Sequence, residues 1–90
     1  MLISTSVVAQ ELSLSGTVKD EKGVTLAGAS VQIENSSRIT VADEFGRFKL
    51  DKLSSGEYSL RIRFLGYADK TENISLNENR SVEITLEESV

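Results

Sequence analysis

Apolar residues fall on alternate positions through almost the whole of this chain, which is the period of a β-strand and not of a helix. Leu12, Leu14, Gly16 and Val18 share one face of a first strand, and "KDEKG" at 19–23 turns the chain. Ala29, Val31 and Ile33 give a second strand, closed by the polar "ENSS"; Ile39 and Val41 give a third. Phe48 and Leu50 give a fourth after a turn at 43–46. The clearest strand carries Tyr58, Leu60, Ile62 and Phe64 on one face and Ser59, Arg61 and Arg63 on the other, so one face is buried and the other is wet. A sixth segment ends with Ile74 and Leu76, and "NEN" leads into a seventh with Val82, Ile84 and Leu86.

Strands of this length, with turn signals roughly every 8–12 residues, predict an all-β fold: a seven-stranded antiparallel β-sandwich spanning 11–88. Glycines fall mainly at the corners. Gly16 is different, because it lies inside a strand, where it marks a bulge or the close crossing of a neighbouring segment.

Size and composition then remove function classes. Ninety residues make one small domain that buries only about 60–65% of its unfolded surface. A net charge of −4 leaves no basic footprint for nucleic acid. The chain has no Cys and no His, which removes disulfides, thiol nucleophiles, zinc sites with nitrogen or sulfur ligands, and catalysis by an imidazole base. No enzyme activity and no cofactor are expected.

The first residues, "MLISTSVVAQELS", join an apolar Ser/Thr-dotted stretch to a small-residue end followed by polar residues. That is how the last part of a secretory signal peptide reads. The apolar part is far shorter than the about 20 residues that a membrane-spanning helix needs. Residues 1–10 are therefore expected to be the remnant of an export signal, or else a disordered leader.

Four motifs in order carry a resemblance: Gly16, Val18, Asp20, Gly23, Leu26, Gly28, Ala29 and Val31; then Asp43, Gly46 and Phe48; then Leu53, Gly56, Tyr58 and Leu60; then Gly66 and Tyr67. Spaced in this way they closely resemble the carboxypeptidase-regulatory-like domain, a transthyretin-like (prealbumin-like) Greek-key sandwich. Thr25 stands at the usual Pro position and Ala42 at the usual Thr before the turn Asp. Phe45 is the unusual residue, since the family generally has a small or polar one there.

A leader of this kind followed directly by this domain resembles the start of TonB-dependent outer-membrane receptors of the SusC/RagA type found in Bacteroidetes. The resemblance implies a non-enzymatic periplasmic accessory domain on the inner side of the outer membrane. Its partners would be the plug and barrel of the parent receptor and periplasmic TonB-system proteins, and the parent would import glycans or other large nutrients. The domain itself is not expected in the membrane, and the isolated domain is expected to be monomeric. The alternative is a stand-alone extracytoplasmic module that binds carbohydrate or protein, as in adhesins. In cross-linked adhesin domains a Lys–Asn bond forms; Lys19 and Asn79 could be imagined in those roles here, but both are expected to be exposed at strand ends, and the Pro-x-Gly-Tyr ending of such domains is missing.

The candidate contact residues are Phe45, Tyr67, Arg47, Arg61 and Arg63. Phe45 and Tyr67 are the rings expected at the surface, with Tyr58, Phe48 and Phe64 in the core. Arg61 and Arg63 stand on the wet face of their strand; if the preceding strand pairs with it, Arg47 and Lys49 extend them into a basic stripe. Asp43 is expected to shape a turn through its side chain rather than to ligate calcium, which takes six to eight oxygens.

Overall fold

The computed structural model describes residues 11–89, and the export-signal remnant or leader expected at residues 1–10 lies outside them. Seven strands follow in order: β1 (Leu12–Asp20), β2 (Ser30–Ile33), β3 (Ile39–Val41), β4 (Arg47–Leu53), β5 (Gly56–Arg63), β6 (Lys70–Leu76) and β7 (Arg80–Leu86). They form two sheets, β4-β1-β7 and β3-β2-β5-β6, and the described residues include no helix. The sandwich expected from the alternation is the fold. One pairing departs from the antiparallel expectation, because β7 runs parallel to β1 from Leu14↔Arg80 to Asp20↔Leu86. Its cause is the 77–79 turn, which carries the chain from one sheet to the other and so starts β7 at the same end as β1.

Every strand except β3 contributes alternate side chains to one apolar layer. In β1, Leu12, Leu14 and Val18 are buried, and they meet Phe48 and Leu50 of β4, Val31 and Ile33 of β2, Leu60 and Ile62 of β5, and Ile84 and Leu86 of β7. Each fully buried Leu or Ile stabilises the fold by about 1.5–3 kcal/mol. Tyr58 and Phe64, expected in the core, lie half-buried at its margin; the Tyr58 hydroxyl donates to the Ser54 carbonyl at 2.6 Å.

Gly16 is the close approach that its position predicts. A Cβ built on it would lie 2.6 Å from the Phe48 ring and 2.7 Å from the Val82 carbonyl oxygen. The bulge is elsewhere, between Leu12 and Leu14.

Strand β3 faces opposite to expectation. Ile39 and Val41 are 58% and 60% exposed, and Thr40 turns inward opposite Val31. The reason is Ala42, which is buried and donates its N–H to the Ala29 carbonyl at 2.8 Å. Once Ala42 points in, the two-residue period turns Thr40 in and Ile39 and Val41 out.

Long cationic side chains close the gaps between the sheets. Arg38 donates to the Asp51 carbonyl at 2.9 Å beside β3 and β4, while Lys70 reaches the Thr85 carbonyl at 3.1 Å and Arg80 the Ser75 carbonyl at 3.0 Å beside β6 and β7.

Two substitutions test this account by urea unfolding. Gly16→Ala forces the Phe48 ring aside and crowds a backbone carbonyl, and should cost about 1–3 kcal/mol. Phe48→Ala should cost about 3–5 kcal/mol. A Gly16→Ala protein with an unchanged midpoint would show that the crossing is loose.

Candidate contact surface

The loops at 21–26, 42–46 and 64–69 lie at one end of the sandwich, together with the segment 87–89 that follows β7. Short contacts join them. Gly46 lies so close to the first loop that a Cβ on it would meet Thr25 Cβ and the Val18 carbonyl, each at 2.8 Å, and its φ of +74° suits glycine. Val18 N–H donates to the Gly46 carbonyl at 2.8 Å, Ala68 N–H to Glu87 at 2.9 Å, and Ser89 N–H to Gly66 at 2.9 Å.

Two carboxylates shape these loops. Asp43 Oδ1 accepts the N–H groups of Phe45 and Arg47, both at 2.9 Å, which is the side-chain-capped turn expected of it. The Arg47 amide, then the Phe45 amide, hold its carboxyl below the usual carboxylate value. Asp20 plays the same part at the first loop, where Oδ1 accepts from Lys22 and Val24 at 2.9 Å, and it adds a longer reach: its Oδ2 accepts the Tyr67 hydroxyl at 3.4 Å. The Val24 amide dominates in lowering the Asp20 carboxyl against the opposing effect of burial. Burial first, and then the Asp20 charge, raise the Tyr67 phenol. Asp20 matched a motif position in the sequence, but its bond to Tyr67 joins residues 47 positions apart and leaves no local signal.

The five candidate contact residues separate into two groups. Phe45 is 58% exposed at the tip of its turn, and the Arg47 guanidinium lies over its ring at 5.6 Å, within cation–π range. Arg61 and Arg63 belong to the other sheet, where both reach Asp69 Oδ2, at 3.3 and 3.1 Å. The conditional basic stripe does not form, because β4 pairs with β1 and β5 pairs with β2 and β6. Tyr67 is not the exposed ring expected. It is half-buried, tilted at 55° against Phe64 with centroids 5.6 Å apart.

The sequence reading missed Leu65, which is 96% exposed between Phe64 and Gly66. An open concavity of about 540 Å³ lies beside it, lined by Arg63, Phe64, Tyr67 and Asp69 among others. Val24, 57% exposed, adds a further apolar side chain at this end. Val24, Phe45 and Leu65 thus expose apolar side chains on loops at this end of the sandwich. The described residues contain no cluster of side chains suited to a metal ion. The Lys–Asn cross-link is ruled out by position: Lys19 pairs with Glu83 at 3.1 Å near one end of β1, whereas Asn79 accepts from Ser13 N–H at the other.

Comparison with known proteins places this geometry. Residues 14–90 match the family described as CarboxypepD_reg-like domain. No curated protein matches the sequence. Among solved structures, catechol 1,2-dioxygenase from Acinetobacter sp. ADP1 is similar with a TM-score of 0.78 at 13% identity, over 98% of this chain and 56% of that one. A type II cohesin–X-dockerin complex from Acetivibrio cellulolyticus gives 0.73 at 20% identity, over 83% and 56%. The shaft pilin SpaA from Lactobacillus rhamnosus GG gives 0.73 at 14% identity, over 90% and 47%. The chain thus spans 47–56% of these proteins, and at such identities the likeness shows the sandwich fold alone.

The lowered carboxyls set a pH dependence. Both Asp20 and Asp43 titrate below the ordinary value of 3.8 in the folded chain, so the stability they add is complete above that value and is lost as pH falls through the folded values. Between about pH 6 and about pH 2 the urea midpoint should fall more steeply for the natural chain than for the double variant Asp20→Asn, Asp43→Asn. Equal slopes would refute a stabilising role for these two charges.

Proposed function

This chain belongs to the CarboxypepD_reg-like domain family, and we propose that it is the non-enzymatic N-terminal accessory domain of a TonB-dependent outer-membrane receptor, held on the periplasmic side of that membrane. The family is a non-catalytic β-sandwich module, and the loop end is built for contact rather than chemistry. The observation that carries the reading is Phe45: Asp43 and Gly46 complete its turn without help from an aromatic ring, yet the ring is exposed at the tip. Its environment suits a neighbouring protein surface, with Arg47 over the ring and Val24 and Leu65 exposed at the same end. Export is supported by the composition of residues 1–10, and the segment 87–89 leaves β7 at this loop end, bringing the acidic Glu87 and Glu88 beside the 66–68 loop.

In this reading the loop end rests on the plug of the parent receptor or on a periplasmic partner of the TonB system. Phe45 and Arg47 make one contact; Arg61, Arg63 and the margin of Tyr67 make a second around Leu65. The domain assists import of glycans or other large nutrients without forming the pore.

An antibody to the domain, applied to fractionated native cells, tests the reading. A heat-modifiable band of receptor size in the outer membrane is expected. A small soluble or surface-released product would overturn it in favour of a stand-alone binding module. Within a receptor of that kind, Phe45→Ser should leave the melting temperature nearly unchanged while impairing uptake. A large loss of stability would instead make Phe45 a core residue.

A further inference from the structure

Strand β3 is the outer strand of the four-stranded sheet and is paired on one side only. Its bonds to the β2 side fix the direction of its backbone groups. Ile33 N–H donates to the Arg38 carbonyl at 2.9 Å, Ala42 N–H to the Ala29 carbonyl at 2.8 Å, and Gly28 N–H to the Ala42 carbonyl at 3.0 Å. Backbone direction in an antiparallel strand repeats every two residues. Arg38, Thr40 and Ala42 therefore turn their groups toward β2, and Ile39 and Val41 turn theirs outward. Among the described residues, the N–H and C=O groups of Ile39 and Val41 have no backbone partner.

We propose that this edge is self-complementary, and that two copies of the chain pair β3 to β3, antiparallel, about a two-fold axis at Thr40. In that register Ile39 of each copy lies opposite Val41 of the other. Both pairs are of the kind that exchanges two hydrogen bonds, so all the outward groups are used at once. A shift by one residue would oppose outward-facing groups to inward-facing ones, and a shift by two would set Ile39 or Val41 against itself and leave the other facing residues outside β3, so the axis at Thr40 alone pairs both within the strand.

Side chains agree with the backbone. Ile39 and Val41 project from the same outward face and are more than half exposed. The pairing sets β-branched against β-branched across the strands, a favourable cross-strand combination. Charge agrees too. Arg38 precedes β3, and Asp43 and Glu44 follow it. Antiparallel pairing brings the cationic end of each strand to the acidic end of the other, with Arg38 opposite Ala42 of the second copy and next to its acidic pair. Within one copy the Arg38 guanidinium donates to the Asp51 carbonyl and Asp43 accepts two N–H groups of its own turn, while Glu44 takes part in no ion pair among the described residues and is the carboxylate left to meet Arg38 of the second copy.

The occupant of the edge is thus a second copy of this chain, joining two four-stranded sheets into one. Because β3 has only three residues, the contact falls short of the roughly 1,000 Å² of a persistent interface. The dimer forms at high local concentration, in contrast to the monomer expected for the isolated domain.

Sedimentation of the chain from roughly 10 µM to roughly 1 mM should show a reversible monomer–dimer equilibrium. Val41→Lys should keep the protein monomeric at the same melting temperature. Register is tested separately, since the chain has no Cys of its own. An equimolar mixture of Ile39→Cys and Val41→Cys should oxidise to a cross-linked dimer faster than either variant alone, because only the mixed pair brings Cα atoms within the span of a disulfide. Monomer throughout the range, a dimer that survives Val41→Lys, or a mixture no faster than its components would each overturn the proposal.

Discussion

Six of the seven strands feed one apolar layer, all but β3, and that layer tolerates no slip of register. A shift of one residue in any strand would exchange its buried face for its wet one. The described residues hold one core cluster and no second one to compensate, so the positions that pin register matter more than their size suggests. Gly16 lets the Phe48 ring lie across β1, and Ala42 fixes how far β3 is turned. Both are small residues whose effect is to place larger ones.

Polar side chains complete what the apolar layer cannot. At the loop end, Asp20 and Asp43 take up N–H groups that the turns leave free, and Asp20 also ties the first loop to Tyr67. Along the open sides, Arg38, Lys70 and Arg80 take up carbonyls of facing edge strands. Anions therefore satisfy donors at the corners while cations satisfy acceptors at the edges. The exposed row of Ile39 and Val41 lies on the side where Arg38 covers a carbonyl of β4 and leaves the backbone of β3 bare.

The alternation of apolar residues made the strands and most of the buried face legible in the sequence, because it reports directly which side chains turn inward. The turn at Asp43 and the close approach at Gly16 were legible for the same local reason. Pairing was not. Arg47 and Arg63 both stand on wet faces, but the turn after Leu53 crosses between sheets instead of closing a hairpin, and alternation reads the same in either case. Strand β3 failed for want of length: in Ile39-Thr40-Val41 every side chain is β-branched, and only the bond from Ala42 to Ala29 decides which face turns in. Leu65 gave no signal because a lone Leu after a strand reads as more core.

The two surfaces constrain each other through symmetry. A two-fold axis at Thr40 sets the paired β3 strands antiparallel, so the loop ends of the two copies, each with its Phe45 and Leu65, point in opposite directions. If the loop end docks on a membrane-bound receptor, as proposed above, that end faces the membrane. Two such domains in one membrane cannot both keep their loop ends docked while their β3 edges pair. One must lift away and turn over, giving up its apolar contact for a short backbone ladder. The proposed docking by the loop end and the proposed pairing by β3 would therefore compete, because two copies in one membrane could not meet both at once.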